Sequence, residues 1–169
     1  MWIPPKFGLI QEKYWPDGWK ILVCCLCLNL TKRAQMEPVV EEMFQRWPTP
    51  SALASAPDAD LEDLIRPLGM QRKRTQTLKR MSAEYAAGGW TRAKELHGIG
   101  KYGDDAYRIF ILGDWRAVQP NDHALNDYHE HLKRTLGDRN TYGTWSPEPT
   151  CVPLSNLSSL RESRTISEN

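Results

Sequence analysis

The chain has 169 residues, 40% hydrophobic and 25% charged, with a net charge of +1. That length suits one domain, with room for a tail, able to bury a real core, and the composition is that of an ordinary soluble protein. The balanced total says little about partners, since nucleic-acid binders are often but not always strongly basic, and it hides a gradient. Seven acids face two arginines between Glu37 and Arg66, whereas eight bases face two glutamates between Gly69 and Lys101.

In chain order, prolines 4, 5 and 16 predict an extended or turning path for the first eighteen residues. Asp17 stands where an N-cap belongs and predicts a helix over Trp19–Leu28, apolar on most faces and therefore central to the core. The run WKILVCCLCLNL is too short for the ~20 residues that cross a bilayer, and MWIPPKFG has no signal-peptide pattern. A soluble intracellular protein with no membrane partner is expected. Cys24, Cys25 and Cys27 lie inside this run and read as small packing hydrophobes. With Cys151 the only other cysteine, neither a disulfide framework nor a CxxC metal spacing exists, which fits a reducing compartment.

Asn29–Arg33 is polar and breaks the apolar pattern. Val39, Val40, Met43, Phe44 and Trp47 recur at helical spacing and predict a helix over Glu37–Trp47, stopped by Pro48 and Pro50. Ser51–Ser55 reads as a short helical turn. Leu61–Leu68 reads as a helix capped by Asp58 or Asp60 and stopped by Gly69. Gln71–Ala87 is a long basic helix with Leu78, Met81 and Tyr85 inward, ended by Gly88–Gly89. Arg92–Leu96 is short, and Asp104–Leu112 and His123–Leu136 complete the set. No alternating strand pattern occurs, so the fold class is all-α, a domain over residues 1–136. Residues 137–169, rich in Ser, Pro and Thr, are expected to be a disordered tail.

The stretch LHGIGKYG precedes Asp104. Leu96 and Ile99 are apolar anchors, while Gly98 and Gly100 permit unusual backbone conformations and let a phosphate approach the main chain. A helix starting near Tyr102–Gly103 would present free N–H groups at its positive end. Alone, the pattern fits a tight turn between packed helices as well as a clamp on a DNA backbone.

LHGIGKYGDDAYRIF followed by VQPNDHALNDYHEHL resembles the helix-hairpin-helix DNA glycosylase superfamily. With WKILVCCLCLNLT and PLGM in the same order, the chain is most similar to the glycosylase domain of the methyl-CpG-binding mismatch glycosylases, from Trp2 to Leu136. No counterpart of the methyl-CpG-binding domain lies in the chain, and no CpG preference is inferred. The resemblance implies a compact multi-helix DNA glycosylase fold with a helix-hairpin-helix motif. It implies a nuclear, monomeric enzyme of base excision repair whose partner is double-stranded DNA carrying G·T or G·U mismatches. Such an enzyme flips out the mispaired thymine or uracil and leaves an abasic site.

By match to the family motif, Asp122 is the catalytic carboxylate; its place just before His123–Leu136 fits an N-cap equally. Tyr102 stands where bifunctional relatives such as endonuclease III carry a lysine, and Lys101 lies one place earlier. A phenol forms no Schiff base, so no lyase activity is expected. Tyr102 and Gln11 would line the base pocket, Gln11 bonding the pyrimidine edge, unless Gln11 is an exposed loop residue. Met70 would wedge between bases beside the orphan guanine, Leu30 in the loop Asn29–Thr31 would fill the vacated stack, and Gly98, Gly100, Lys101 and His123 would touch DNA. Leu30 replaces an arginine of the animal enzymes, and also fits the end of an apolar helix; Ala124 replaces a common lysine.

Endonuclease III and many relatives carry a four-cysteine iron–sulfur loop after the aspartate. Only Cys151 lies there in this chain, so no cluster, no metal site and no other cofactor is expected. The hairpin is compatible with a structural monovalent or divalent cation. His129 and His131 splay on a helix and are expected to pack rather than chelate. The alternative function is a non-catalytic helix-hairpin-helix DNA-binding module, against which Asp122 and Gln11 argue.

Overall fold

The computed structural model describes residues 1–137. Its organising element is α2, Gly18–Leu28. Asp17 caps this helix as the sequence predicts, its carboxylate accepting the Lys20 N–H at 3.0 Å. Apolar residues occupy most of its faces, so α2 is buried on two sides rather than one. Leu22, Val23, Cys24 and Cys27 enter a core shared with α3 (Arg33–Arg46), α4 (Pro50–Ala54), α5 (Asp58–Ile65) and α6 (Gln71–Ala87). Ile21 and Cys25, one turn apart, face a second core with α7 (Lys101–Tyr107) and α8 (His123–Leu136), built around Phe110, Trp115 and Tyr128. The central helix is therefore a wall common to two lobes.

Every described element is helical, with no strand among the described residues, in line with the all-α reading. The bounds of α6 and α8 are those predicted, and Leu78 and Met81 are fully buried. His129 is buried against the Trp115 carbonyl at 2.9 Å, and the His131 ring lies on Tyr128, so both histidines pack. The expected disordered tail, beyond Gly137, lies outside the described residues.

Four local expectations differ. The first eighteen residues are not all extended: Ile10–Tyr14 form α1. The Glu12 carboxylate accepts the N–H groups of Phe7, Gly8 and Leu9 at 2.9, 2.8 and 2.7 Å, satisfying donors that would otherwise oppose so short a helix. Helix α3 starts at Arg33, not Glu37, and carries Pro38 within it. Helix α5 starts at Asp58 behind Pro57, and Arg66–Leu68 tightens to a 3₁₀ turn before Gly69, whose φ is +76°. Helix α7 begins at Lys101, ahead of the predicted Asp104, and Arg108–Leu112 continues it with π-helical spacing.

Candidate active site

A cleft of about 620 Å³ opens where the two lobes meet at the C-terminal end of α2. Its wall is made of three segments distant in sequence: Cys25–Thr31, Gly98–Gly103 and the start of α8 with Asp122 and Ala124. Of the nine site residues expected from sequence, Leu30, Gly98, Gly100, Lys101, Tyr102 and Asp122 line this one cavity. Met70 borders an adjoining hollow that shares Leu26, Asn29 and Gly98 with it. Gln11 lies behind the wall, and His123 stands outside it with its side chain 96% exposed, 3.9 Å from Asp127.

Asp122 is the N-cap of α8: one carboxylate oxygen accepts the Leu125 N–H at 3.0 Å. A carboxylate offers about four acceptor positions. The cap occupies one, holds the group rigidly at the cleft wall, and leaves acceptor capacity for a water or a cationic sugar. The two readings of this residue are thus compatible in a single geometry.

Gln11 is neither exposed nor in a loop. It sits on α1, 1% exposed, and its amide donates to the Tyr102 hydroxyl at 2.9 Å, with the Cys25 sulfur at 3.9 Å. Burial raises the Tyr102 phenol well above its ordinary ionisation range, so it stays a neutral hydroxyl. Cys25 is pushed up to about 12 for the same reason and stays a thiol. Tyr102 and Cys25 make this part of the wall, backed by the Gln11 amide; all three groups are neutral and polar, suited to hydrogen bonding and unsuited to nucleophilic attack.

The hairpin glycines play different parts. Gly98 has φ +79°, and a Cβ there would meet the Thr77 methyl on α6 at 2.4 Å. Its lack of a side chain is required by the protein itself. Gly100 has ordinary φ of −93°, and a Cβ there would meet nothing within 4 Å. Gly100 also caps α7 with no side-chain acceptor, so the first-turn N–H groups of this cleft-lining segment have no side-chain cap. Lys101 borders the cleft, but its ammonium donates to the Asp105 carboxylate and to the Gln119 carbonyl, 2.7 Å away. It braces the hairpin against the segment leading to Asp122.

Leu30 and Met70 are among the few large apolar side chains left in water, 85% and 47% exposed. They are also the only non-glycine residues with positive φ among the described residues, at +60° and +49°. Helix α2 has ended at Leu28, so Leu30 is not part of the apolar core. Such a backbone costs a non-glycine residue about 1–2 kcal/mol and persists only where its surroundings enforce it.

Two features of the site escaped the sequence. In sequence Cys25 reads as packing like its neighbours, and only the rotation of α2 turns it to the cleft. Arg74 reads in sequence as one more base of α6, yet it is 7% exposed. A signal was present: Arg74 stands four and seven residues before Leu78 and Met81, on the inward stripe. Among the described residues no three His, Cys, Asp or Glu side chains are placed to hold a metal ion.

The family model described as "HhH-GPD superfamily base excision DNA repair protein" matches residues 23–150. The chain is 42% identical over 134 residues to a methyl-CpG-binding domain protein 4-like protein of Arabidopsis thaliana, covering 78% of this chain and 30% of that protein. It is 39% identical over 93 residues to a thymine-DNA glycosylase of Aeropyrum pernix, covering 51% and 42%. The chain thus spans less than half the length of these relatives. A thermostable thymine-DNA glycosylase structure superposes with TM-score 0.55 at 18% identity over 71% of this chain and 68% of that one. Endonuclease III trapped as a covalent intermediate with DNA superposes with TM-score 0.51 at 18% identity over 73% and 72%. These two likenesses are of fold.

Proposed function

Because the chain belongs to the HhH-GPD superfamily of base excision DNA repair proteins, we propose that residues 1–136 form a monofunctional DNA glycosylase acting on thymine or uracil opposite guanine. The observation that carries this reading is Asp122, a rigid capping carboxylate, in the wall of the same cleft as Tyr102 and the hairpin glycines.

A mispaired pyrimidine leaves the stack more readily than a paired one and enters the cleft. Gln11 and Tyr102 bond its edge, and the exposed Leu30 and Met70 side chains fill the gap it leaves. The bond between C1′ and the base nitrogen breaks with its electron pair leaving on the base, and positive charge develops on the sugar. Asp122 stabilises that charge, and a water adds to C1′ while the carboxylate accepts its proton. The departing base takes up a proton, so the net change is hydrolysis to free base and abasic site. Gly100 and the free N–H groups behind it hold a phosphate. Neither Tyr102, kept neutral, nor Lys101, engaged by Asp105 and Gln119, supplies an amine for strand cleavage. We further propose a nuclear monomer that uses no cofactor: the likeness to the methyl-CpG-binding domain protein 4-like relative supports the nucleus, and Cys151, the one cysteine after Asp122, cannot by itself make a four-cysteine cluster loop there.

The test is incubation with G·T, G·U and A·T duplexes followed by hot alkali, which nicks abasic sites. The native chain is expected to yield nicks on G·T and G·U after alkali only, and Asp122→Asn to bind mismatched duplex without releasing base. Near-normal excision by Asp122→Asn overturns the catalytic assignment. A nick before alkali overturns the monofunctional one, and no nick on any mispair returns the chain to a DNA-binding module.

A further inference from the structure

Arg74 is a buried guanidinium whose hydrogen bonds all run to backbone carbonyls of two separate turns. On one side it donates to Leu26 (2.7 Å) and Asn29, at the end of α2; on the other to Leu68 (3.4 Å) and Gly69 (3.0 Å), before α6. The Asn29 carbonyl belongs to the peptide that precedes Leu30, and the Gly69 carbonyl to the peptide that precedes Met70. Those are the two residues in left-handed backbone, and the two large apolar side chains presented at the cleft and its adjoining hollow. One planar fork thus fixes the peptide ahead of each strained residue. A lysine, a point donor with no planar fork, could not hold four carbonyls in two directions.

We propose that Arg74 is a positioning residue that couples Leu30 and Met70 into a single two-pronged wedge. The proposal rests on the reading above that these side chains enter the DNA stack. An apolar wedge is useful only if it arrives already oriented, because freezing a loop on binding opposes association. With both turns tied to one guanidinium, seating one prong seats the other, and neither strained backbone can relax alone. The stability of each left-handed residue therefore comes from a group that touches no DNA. Its burial, 7% exposed, and its engagement with carbonyls leave it no role as a phosphate contact.

The experiment measures affinity for a duplex carrying a tetrahydrofuran abasic analogue opposite guanine, relative to matched duplex, with no catalysis required. Leu30→Ala, Met70→Ala and the double variant are compared in the chain with Arg74 intact. Each single substitution is expected to reduce the preference tenfold or more, and the double variant to lose little beyond the worse single one. Arg74→Lys is expected to unfold cooperatively while losing tenfold or more of the same preference. In that background the two alanine substitutions are expected to multiply independently. If Arg74→Lys fails to fold, the cycle with Arg74 intact still decides. Independent multiplication there overturns the coupling and leaves the wedges standing. If neither alanine substitution matters, the wedge reading falls and the coupling with it.

Discussion

Substituting the two hairpin glycines separates what the protein needs from what its partner needs. In Gly98→Ala the new methyl meets a φ of +79° and the Thr77 methyl at 2.4 Å, with a Leu26 methyl at 3.4 Å. The left-handed backbone costs about 1–2 kcal/mol. Pushing aside Thr77, a β-branched residue stiff at χ1 on α6, costs a further ~1–3 kcal/mol. The sum of roughly 2–5 kcal/mol corresponds to a fall in melting temperature on the order of 10 °C. In Gly100→Ala the methyl meets open space at φ −93°, and exchanging Gly for Ala at a cap costs under ~1 kcal/mol. That variant is expected to melt within a few degrees of the native chain, by roughly the same scale. Its affinity for duplex DNA, read by fluorescence anisotropy, is expected to fall tenfold or more, since the methyl occupies the space a phosphate needs. A Gly98→Ala protein as stable as the native one would refute the packing argument. Undiminished DNA affinity in Gly100→Ala would refute the placing of the backbone contact.

Truncating Gln11 to Ala removes the amide bonded to the Tyr102 hydroxyl and leaves that part-buried hydroxyl without this partner. Single-turnover excision of uracil from G·U is expected to slow tenfold or more; an unchanged rate constant removes Gln11 from the base pocket. The buried thiols of Cys25 and Cys27, pushed up to about 12 by burial from 9.0, make a pH prediction. Below pH 9 both folded and unfolded chains carry them neutral, and their contribution is intact. Above it only the unfolded chain ionises them, so stability falls by up to ~1.4 kcal/mol per pH unit for each until pH approaches 12. Melting temperatures followed from pH 8 to 10.5 should fall, less steeply in Cys27→Ala; equal slopes refute the burial argument.

By itself the sequence determined the all-α class, the central apolar helix capped by Asp17, the bounds of α6 and α8, and the family motif around the hairpin and Asp122. Each of these is local or short-ranged: a cap, a helical period, a run of apolar residues, a motif in order. The N-terminal helix was not legible because its start is stabilised by a side chain, Glu12, reaching back over three backbone donors rather than by any propensity of its own residues. The site residues came to one cleft only because α2 is buried on opposite faces, which brings Cys25 and Leu30 beside a hairpin some seventy residues later. The same packing buries Gln11 against Tyr102, where the sequence left the base pocket and an exposed loop both open. The role of Arg74 is the furthest from any sequence signal. Counted as charge it belongs to a basic helix face, and only tertiary structure sets four carbonyls from two turns around it. A guanidinium without water must find acceptors, and which acceptors it finds is decided by where the chain folds back.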